Sequence, residues 1–247
     1  MILQDISFSS PKENILLDEV LFYLAEQGEG GEVLRFWESR QDFVVLGRIG
    51  KEDDDLNFEA LLKDNIPVLR RSSGGGTVVQ GKGCLNYALI LSKGHDPRLH
   101  DIKGSYQFIL GKIILALENI GVAAVFQPTS DLALKKNNKK FSGNAQKRGK
   151  KFILHHGTVL YDFDLKKIEK YLQFPRETPA YRLGRSHLEF VANITVDPNI
   201  LKKSLKGVFG IHEEKRTLDA KQSACLRHFI DNRNIAIDLS KTIAQLF

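Results

Sequence analysis

The stretch RRSSGGGTVVQGKGCLNY, residues 70–87, follows the apolar strand signal IPVL and contains three consecutive glycines. Glycine loses more backbone entropy on folding than any other residue, so such a run is costly unless something approaches the backbone closely. With no Cβ at residues 74–76, backbone N–H groups can turn towards a ligand, and Arg70 and Arg71 offer planar forks for a carboxylate or phosphate. The stretch has neither the GKS/T ending of a P-loop nor the GxGxxG fingerprint. It predicts a ligand-binding loop or, alternatively, a surface hairpin.

Strand signals lie on both sides of this glycine loop. The apolar and β-branched runs predict strands at LRFWES, FVVLG, IPVLRR, TVVQG, LNYALILS, AAVFQ, SDLALKK and FILHHGTVLYDF. TVVQG and LNYALILS are expected to pair, and ALKKNNKKFSG predicts a hairpin because Asn137 and Asn138 tolerate positive φ. Strands joined by short turns favour an α+β fold with a mixed, largely antiparallel sheet packed with helices.

Apolar residues at helical spacing predict helices at 14–26, around NFEALLKDN, at 104–120, and near 164–172, 186–194 and 198–207. No Pro/Gly/Ser linker divides the first 195 residues. We therefore expect one domain over residues 1–247, with 213–247 as a short helical C-terminal extension.

Composition excludes several classes of protein. Of the 247 residues, 42% are hydrophobic and 27% charged, which is typical of a globular domain with a sizeable core. No run approaches the roughly 18 apolar residues of a membrane span, and the N-terminus lacks the pattern of a signal peptide. Cys84 and Cys225 lack metal-type spacing, which indicates a reducing cytoplasm and no metal site. The net charge of +6 favours acidic partners without choosing among them.

A second segment with chemical potential is KKFSGNAQKRGKKFILHHGTVL, residues 139–160. Lys140 opens a strand next to a glycine, where an ammonium group can stabilise negative charge that grows in a transition state. The alternative is a solvated hairpin lysine. His155 and His156 are adjacent, so they face opposite sides of a strand and at most one of them points into a site.

Taken in order, NILLDEV, FWES, VVLGR, the glycine loop, SDLALKKNNKKFSGNAQ and HHGTVL resemble lipoate protein ligases, within the wider group of biotin ligases, lipoate ligases and octanoyltransferases. The matches cover roughly residues 13–165. The resemblance implies an α+β core related to class II synthetases. It also implies activation of lipoate by ATP and Mg²⁺ to lipoyl-AMP. The acyl group would pass to a lysine of a lipoyl domain, in a 2-oxoacid dehydrogenase complex or the glycine cleavage H protein.

The same resemblance implies residue roles. Lys140 corresponds to the essential lysine of the KxSGxA motif, and Trp37 and Val45 correspond to walls of an apolar acyl tunnel. The other matched positions are expected to contact the acyl substrate or the adenylate: Arg71, Ser73, Gly74, Gly75, Gly76, Val78, Asn86, Asp131, Ser142, Gly143, Ala145, His156, Gly157 and Thr158. No protein ligand for a metal and no general base are identified.

This chain departs from the family pattern in two places. Gln80 and Gly81 stand where many members carry a histidine and an acid, and the C-terminal part is short for the usual accessory domain. Residues 181–193, YRLGRSHLEFVAN, are similar to compact relatives, some of which need a separate accessory protein for adenylation or act only in transfer. The basic residues Lys147, Arg148, Lys150 and Lys151 are predicted to form a rim that steers an acidic lipoyl domain.

Two other functions stay open. An octanoyltransferase of this group uses a cysteine just before the lysine motif, where this chain reads FQPTSDLALKK, so Cys84 beside the glycine loop would have to serve. A lipoyl-domain binding module without catalysis is the second. A biotin ligase is disfavoured because the GRGRxxR-type loop is missing. Neither a nucleic acid nor a membrane is expected as a partner.

Overall fold

The computed structural model describes residues 1–240. An eight-stranded sheet and a three-stranded sheet organise this part of the chain. The strands, in chain order, are β1 Ile2–Asp5, β2 Val33–Trp37, β3 Phe43–Leu46, β4 Val68–Arg70, β5 Val78–Gln80, β6 Cys84–Ser92, β7 Ala124–Gln127, β8 Asp131–Leu134, β9 Lys140–Arg148, β10 Phe152–Leu160 and β11 Glu213–Lys215. The large sheet has the order β11-β1-β2-β6-β10-β9-β8-β7, and the small sheet the order β4-β3-β5.

The helices are α1 Pro11–Glu26, α2 Glu52–Asp55, α3 Phe58–Lys63, α4 Ile102–Glu118, α5 Lys166–Tyr171, α6 His187–Phe190, α7 Pro198–Val208 and α8 Ala220–Asn232. Their starts follow from local chemistry. Ser10 accepts a hydrogen bond from the Glu13 N–H and precedes Pro11 at the first helical position, so α1 begins there. Asp101 caps α4 in the same way.

Helices cover both faces of the large sheet. On one face, Leu89 of β6 and Ile153 of β10 are fully buried with Ile109 of α4 and Leu205 of α7. On the other face, α1 packs against β6 and β10, and α8 packs on α1, with Leu17, Ala88, Leu154 and Leu226 in one apolar cluster. The large sheet is antiparallel except for the pairs of β1 with β2 and β11. The predicted fold class, a mixed and largely antiparallel α+β architecture, is confirmed.

Individual elements differ from the sequence expectations. The hairpin between β8 and β9 forms, and Asn138 is its residue with positive φ, at 53°. The pairing of TVVQG with LNYALILS is wrong, because β5 pairs with β3 in the small sheet and β6 lies between β2 and β10. The segment 213–240 contains the strand β11 as well as α8, and residues 241–247 lie outside the described residues. The division into one domain and an extension stays a prediction.

Among residues 1–240, no helix has the length and apolar character needed to cross a membrane.

Candidate functional site

A β-bulge decides which way Lys140 points. Leu132 is paired with Ser142 but Ala133 is paired with Lys140, so Phe141 is an extra residue in β9. Without it, Lys140 and Gly143 would face opposite sides of the sheet, because they are three residues apart. The extra residue restores them to one face and buries the Phe141 ring on the other. The face that carries Lys140 and Gly143 is called the site face below.

Lys140 is one half of an ion pair on the site face. Its Nζ lies 2.8 Å from Asp131 Oδ1, and the Tyr181 hydroxyl donates to Asp131 Oδ2 at 2.8 Å. A Cβ on Gly143 would sit 3.1 Å from that Nζ, so the glycine gives the ammonium group its space across the strand. Burial, followed by the adjacent Asp131, raises the pKa of Tyr181, which keeps its hydroxyl protonated as a donor. Asp131, itself held by Tyr181, therefore fixes the position of the Lys140 ammonium group.

The glycine loop is held from within by Arg71. Its Nε donates to Ser73 Oγ at 3.1 Å, one terminal nitrogen donates to the Val45 carbonyl at 3.3 Å, and the other donates to the carbonyls of Gly74 and Gly76 at 2.7 and 2.8 Å. Burial lowers the pKa of Arg71 to about 10, so the guanidinium stays charged at neutral pH. The sequence suggested a fork open to a ligand. In the structure these donors hold the loop, and a direct contact of Arg71 with substrate stays a prediction.

The tip of the loop rests on β9. Gly75 has φ of +85°, and a Cβ there would lie 3.6 Å from the Ala145 Cβ. A Cβ on Gly47 would lie 2.0 Å from the Gly75 carbonyl oxygen, so the turn after β3 needs its glycine for this close approach. Ala145 and Gly143 are alternate residues of one strand and lie about 7 Å apart on the same face. The loop and the Lys140 ammonium group are therefore within reach of a single ligand.

His156 reaches the site face from β10. Its Nε2 lies 2.6 Å from Ser73 Oγ, and its Nδ1 lies 3.8 Å from Asp18 Oδ2. Because Ser73 Oγ already accepts the Arg71 Nε–H, its own hydrogen is available to His156 Nε2. His155, one residue earlier, is fully buried on the opposite face, as the alternation of the strand predicts.

Gln80 occupies the position where the family pattern has a histidine, and it completes a closed polar network. Gln80 Nε2 donates to Thr158 Oγ1 at 2.7 Å, Thr158 Oγ1 donates to Asn86 Oδ1 at 2.6 Å, and Asn86 Nδ2 donates to Gln80 Oε1 at 3.0 Å. Asn86 and Thr158 are cross-strand partners on the site face. The departure at Gln80 is thus accommodated by two of the predicted site residues.

Two predicted site residues belong to the opposite face. Ser142 is 1% exposed and Gly157 pairs with Tyr87, whose ring packs with α4. A Cβ on Gly157 would come within 2.0 Å of Asn144 Oδ1 and 2.6 Å of the Tyr87 hydroxyl oxygen. The Ser142 side chain, and the side of Gly157 on which a Cβ would stand, therefore point away from the site face. Any contact of theirs with a ligand stays a prediction.

The predicted tunnel walls, Trp37 and Val45, are buried in one apolar cluster with Ile15, Phe43 and Leu69. Val78 and Ile235 pack against this cluster at its edge. Two surface cavities of the described residues lie elsewhere, one of about 550 Å³ between α1 and α8 and one of about 440 Å³ between α4 and α7. The tunnel assignment stays a prediction.

Sequence reasoning assigned no role to the buried acids of α1. Asp18 is 3% exposed and lies 2.5 Å from an Arg35 guanidinium nitrogen, while the Trp37 indole N–H donates to it at 3.3 Å. Glu19 is 5% exposed and accepts the Ser72 N–H at 3.3 Å. The sequence does indicate that these acids are unusual, because both interrupt the apolar run NILLDEVLF on a helix whose middle is buried. Tyr181 was also missed, since a chain separation of 50 residues hides its contact with Asp131.

The predicted basic rim does not form one surface. Lys147 and Arg148 are adjacent in β9 and face opposite sides of the sheet. Arg148 is tied to the Leu99 carbonyl at 2.5 Å and to Gln146 Oε1 at 2.9 Å, on the α4 side. The backbone N–H groups of Lys150 and Lys151 bind the Glu26 carboxylate at the far end of the hairpin. The expectation of a single steering rim was wrong because it ignored this alternation.

Cys84 is fully buried, and burial raises the pKa of its thiol well above the ordinary range. Its side chain packs in the apolar cluster of α3 and α5 and is free, as is Cys225 of α8. A thiol in this state is a poor nucleophile. Within residues 1–240, no group of three or more His, Cys, Asp or Glu side chains is arranged to hold a metal ion.

Comparison with known proteins shows the family of this chain. The sequence profile of the lipoyl protein ligase A/B catalytic domain matches residues 10–204. The probable lipoate-protein ligase A of Mycoplasma pneumoniae is 33% identical over 168 residues, covering 66% of this chain and 48% of that protein. Octanoyltransferase LipM of Bacillus subtilis is 28% identical over 203 residues, covering 74% and 73%. The chain spans about half the length of the ligase relatives it matches.

Two solved structures share the fold. A bi-partite lipoate protein ligase of Thermoplasma acidophilum, studied with its E2 lipoyl domain, has a TM-score of 0.80 at 22% identity, over 94% of this chain and 92% of that one. A lipoate-protein ligase A bound with ATP has a TM-score of 0.80 at 21% identity, over 94% of both chains. These similarities confirm the predicted α+β fold.

Proposed function

This chain belongs to the lipoyl protein ligase A/B catalytic-domain family, and from that membership we propose that it is a lipoate protein ligase. It activates lipoate, or octanoate, with ATP to the acyl-adenylate. It then transfers the acyl group to a lysine of a lipoyl domain, in the acyltransferase subunit of a 2-oxoacid dehydrogenase complex or in the glycine cleavage H protein. The free thiols fit a reducing compartment such as the cytoplasm.

One observation carries the proposal. The Lys140 ammonium group, held by Asp131, lies on the same sheet face as a glycine loop whose shape Arg71 maintains by hydrogen bonds to its carbonyls. A fixed cation beside exposed backbone of a side-chain-free loop suits an acyl phosphate anhydride, which carries negative charge at its phosphate and a polar carbonyl. The name and ATP ligand of the structural relative agree with this choice of substrate.

In the first half-reaction a carboxylate oxygen of the acid attacks the α-phosphorus of ATP. The new P–O bond forms as the bond to pyrophosphate breaks, so charge grows on the phosphate oxygens and the leaving group. Lys140 is placed to neutralise part of that charge. Mg²⁺ prefers oxygen ligands, but both Asp131 oxygens are engaged by Lys140 and Tyr181. We therefore propose that the triphosphate would bind the Mg²⁺ ion, and we assign no protein side chain as a ligand of the ion.

In the second half-reaction the acceptor lysine attacks the acyl carbonyl carbon, and the C–O bond to AMP breaks. The amine has a reference pKa of about 10.4 and loses a proton before attack. Lys140 stays close enough to the anhydride to stabilise the oxyanion that forms at the carbonyl. The glycine loop shields the anhydride from water and so favours transfer over hydrolysis.

An octanoyltransferase is the second candidate, favoured by the 28% identity to LipM over most of both chains. That chemistry needs a reactive thiol. The chain has two cysteines, of which Cys84 is buried with a raised pKa and Cys225 lies on α8, outside the site. The ligase is therefore preferred. A lipoyl-domain binding module without catalysis is disfavoured by the intact Lys140–Asp131 pair.

The test is to incubate the chain with lipoate and MgATP, and then to follow pyrophosphate release and retained lipoyl-AMP by mass spectrometry. A lipoyl domain is added next, and its acylation is measured with and without a separately purified accessory protein. This order tells whether both half-reactions occur in this chain.

Two matched variants sharpen the test. Lys140→Ala is expected to lower adenylate formation by about 10²- to 10³-fold, the range for loss of one preorganised charge donor. Lys136→Ala, in the exposed part of the same hairpin, is expected to leave it unchanged. Lys140→Ala also strips the buried Asp131 of its cation, so circular dichroism must show that it remains folded. ATP-independent transfer from an octanoyl carrier protein that Cys84→Ala abolishes would overturn the ligase in favour of the transferase.

A further inference from the structure

We propose that Arg233 is a positioning residue for the glycine loop: residues 233–237, here called the C-terminal strap, hold the loop through the Glu19 carboxylate in the conformation that binds the acyl substrate. The proposal rests on the function argued above for the substrate class. The contact itself is a property of the fold and can be tested without turnover.

The strap extends the small sheet at the edge next to the loop. The Arg70 N–H donates to the Ile235 carbonyl at 2.8 Å, and the Ile237 N–H donates to the Val68 carbonyl at 2.9 Å. Ala236 is paired antiparallel with Leu69. The strap thus pairs with β4, which runs directly into the glycine loop.

Glu19 joins three parts of the molecule at one carboxylate. Its Oε2 accepts from an Arg233 guanidinium nitrogen at 2.7 Å, and its Oε1 accepts the Ser72 N–H at 3.3 Å. Because Glu19 is only 5% exposed, its charge depends on these donors for compensation. Lys147 also faces Glu19: burial lowers the pKa of Lys147, and the Glu19 carboxylate opposes that effect. Among residues 1–240, Arg233 is the cation hydrogen-bonded to Glu19.

The ion pair of Arg233 with Glu19 can form and break. Its side chain is 41% exposed, and its guanidinium lies 3.8 Å from the centre of the Phe229 ring. An ion pair whose arginine is partly exposed opens more easily than the buried contacts of Arg71. When it opens, the Glu19 carboxylate loses its hydrogen-bonded cation and regains solvent, and its grip on the Ser72 amide weakens.

The strap also reaches the predicted acyl tunnel. Ile235 packs against the cluster that contains Trp37, Val45 and Leu69. One short segment therefore touches the polar end of the site through Glu19 and the apolar end through Ile235. Displacing it alters the loop and the tunnel together, so we expect the main effect on binding of the acyl substrate.

The test uses the full chain with Arg233→Ala, Arg233→Lys and, as a matched control, Arg227→Ala on the exposed side of α8. The first readout is hydrogen exchange of the amides of residues 72–76 without substrate. We expect about 5- to 10-fold faster exchange in Arg233→Ala, since one partly exposed charged hydrogen bond is lost. Arg233→Lys should recover most of the protection, because an ammonium group can still reach Glu19. Arg227→Ala should match the unmodified chain.

The second readout is lipoate-dependent pyrophosphate release. Arg233→Ala should raise the KM for lipoate about 5- to 10-fold and leave kcat within about twofold, because chemistry at Lys140 is untouched. Unchanged exchange at residues 72–76, or faster exchange spread over the whole core, overturns the proposal. So does a fall in kcat at constant KM. If the unmodified chain forms no adenylate, the proposed function fails. The role of Arg233 in holding the loop is then tested by hydrogen exchange of residues 72–76 alone.

Discussion

His155 is expected to make the fold sensitive to acid. Arg148 and the Ser105 hydroxyl donate to Gln146 Oε1, at 2.9 and 3.1 Å, which fixes the amide with its Nε2 facing His155 Nδ1 at 3.1 Å. An amide nitrogen only donates, so His155 Nδ1 accepts and the ring is neutral with its hydrogen on Nε2. The ring is fully buried between Tyr87 and Tyr106, and burial, with a smaller effect of His156, lowers the pKa of His155 to about 3.

The size of the effect follows from linkage. In the unfolded chain the imidazole has a pKa of about 6.5, so below that pH the unfolded state binds a proton that the folded state refuses. The stability conferred by the neutral ring is therefore complete above about pH 6.5 and is lost as the pH falls towards 3. The slope approaches about 1.4 kcal/mol per pH unit, which amounts to about 2–3 kcal/mol between pH 6 and pH 4.

The measurement is urea unfolding of the unmodified chain, His155→Gln and His100→Gln at pH 7, 6, 5 and 4. His155→Gln should lose about 2–3 kcal/mol less than the unmodified chain between pH 6 and 4, whatever its stability at pH 7. His100 is exposed, so His100→Gln should follow the unmodified chain. A His155 ring that titrates near pH 6.5 by NMR in the folded chain, or equal acid losses in all three proteins, would refute the reasoning.

Two further predictions concern space and donors behind the site. Gly157→Ala should lower the free energy of unfolding by about 1–3 kcal/mol through the clash with Asn144. Gly111→Ala, in the middle of α4, has open space around the new methyl group and should be neutral or stabilising. Urea unfolding measures both variants, and an unchanged free energy of unfolding for Gly157→Ala would contradict the packing described. Arg71→Lys keeps the charge but has one nitrogen for four acceptors, so we expect a loss of about 2–4 kcal/mol; exposed Arg40→Lys is the control, and equal stability of the two variants counts against the role of Arg71.

Much of the fold was readable from local patterns. Apolar spacing located α1, α4 and the long strand β10. The β8–β9 hairpin was located by its turn, because asparagine tolerates positive φ and Asn138 adopts it. The position of β5 was not readable. The strand β5 is three residues long and pairs with β3, which lies more than 30 residues earlier in the chain. Its partner therefore depends on how the chain packs and not on the residues within β5.

The chemistry of the site was readable to the same limited extent. The order of motifs named the family. The adjacent histidines required that at most one of them point into the site, and it is His156 that lies on the site face. The clustering of charge was misleading for Lys147 and Arg148, which alternate across the sheet.

The sequence by itself determined which segments carry chemistry, since glycine runs, isolated lysines and apolar periodicity are local properties of the chain. Only the tertiary structure decided what those groups do. An extra residue at Phe141 turns Lys140 to the site face. Hydrogen bonds to the carbonyls of Gly74 and Gly76 make Arg71 the support of the loop. Glu19 gains its partners from residues 53 and 214 positions away. Orientation across a sheet, burial and long-range pairing depend on the whole packed chain, and no single stretch of sequence contains them.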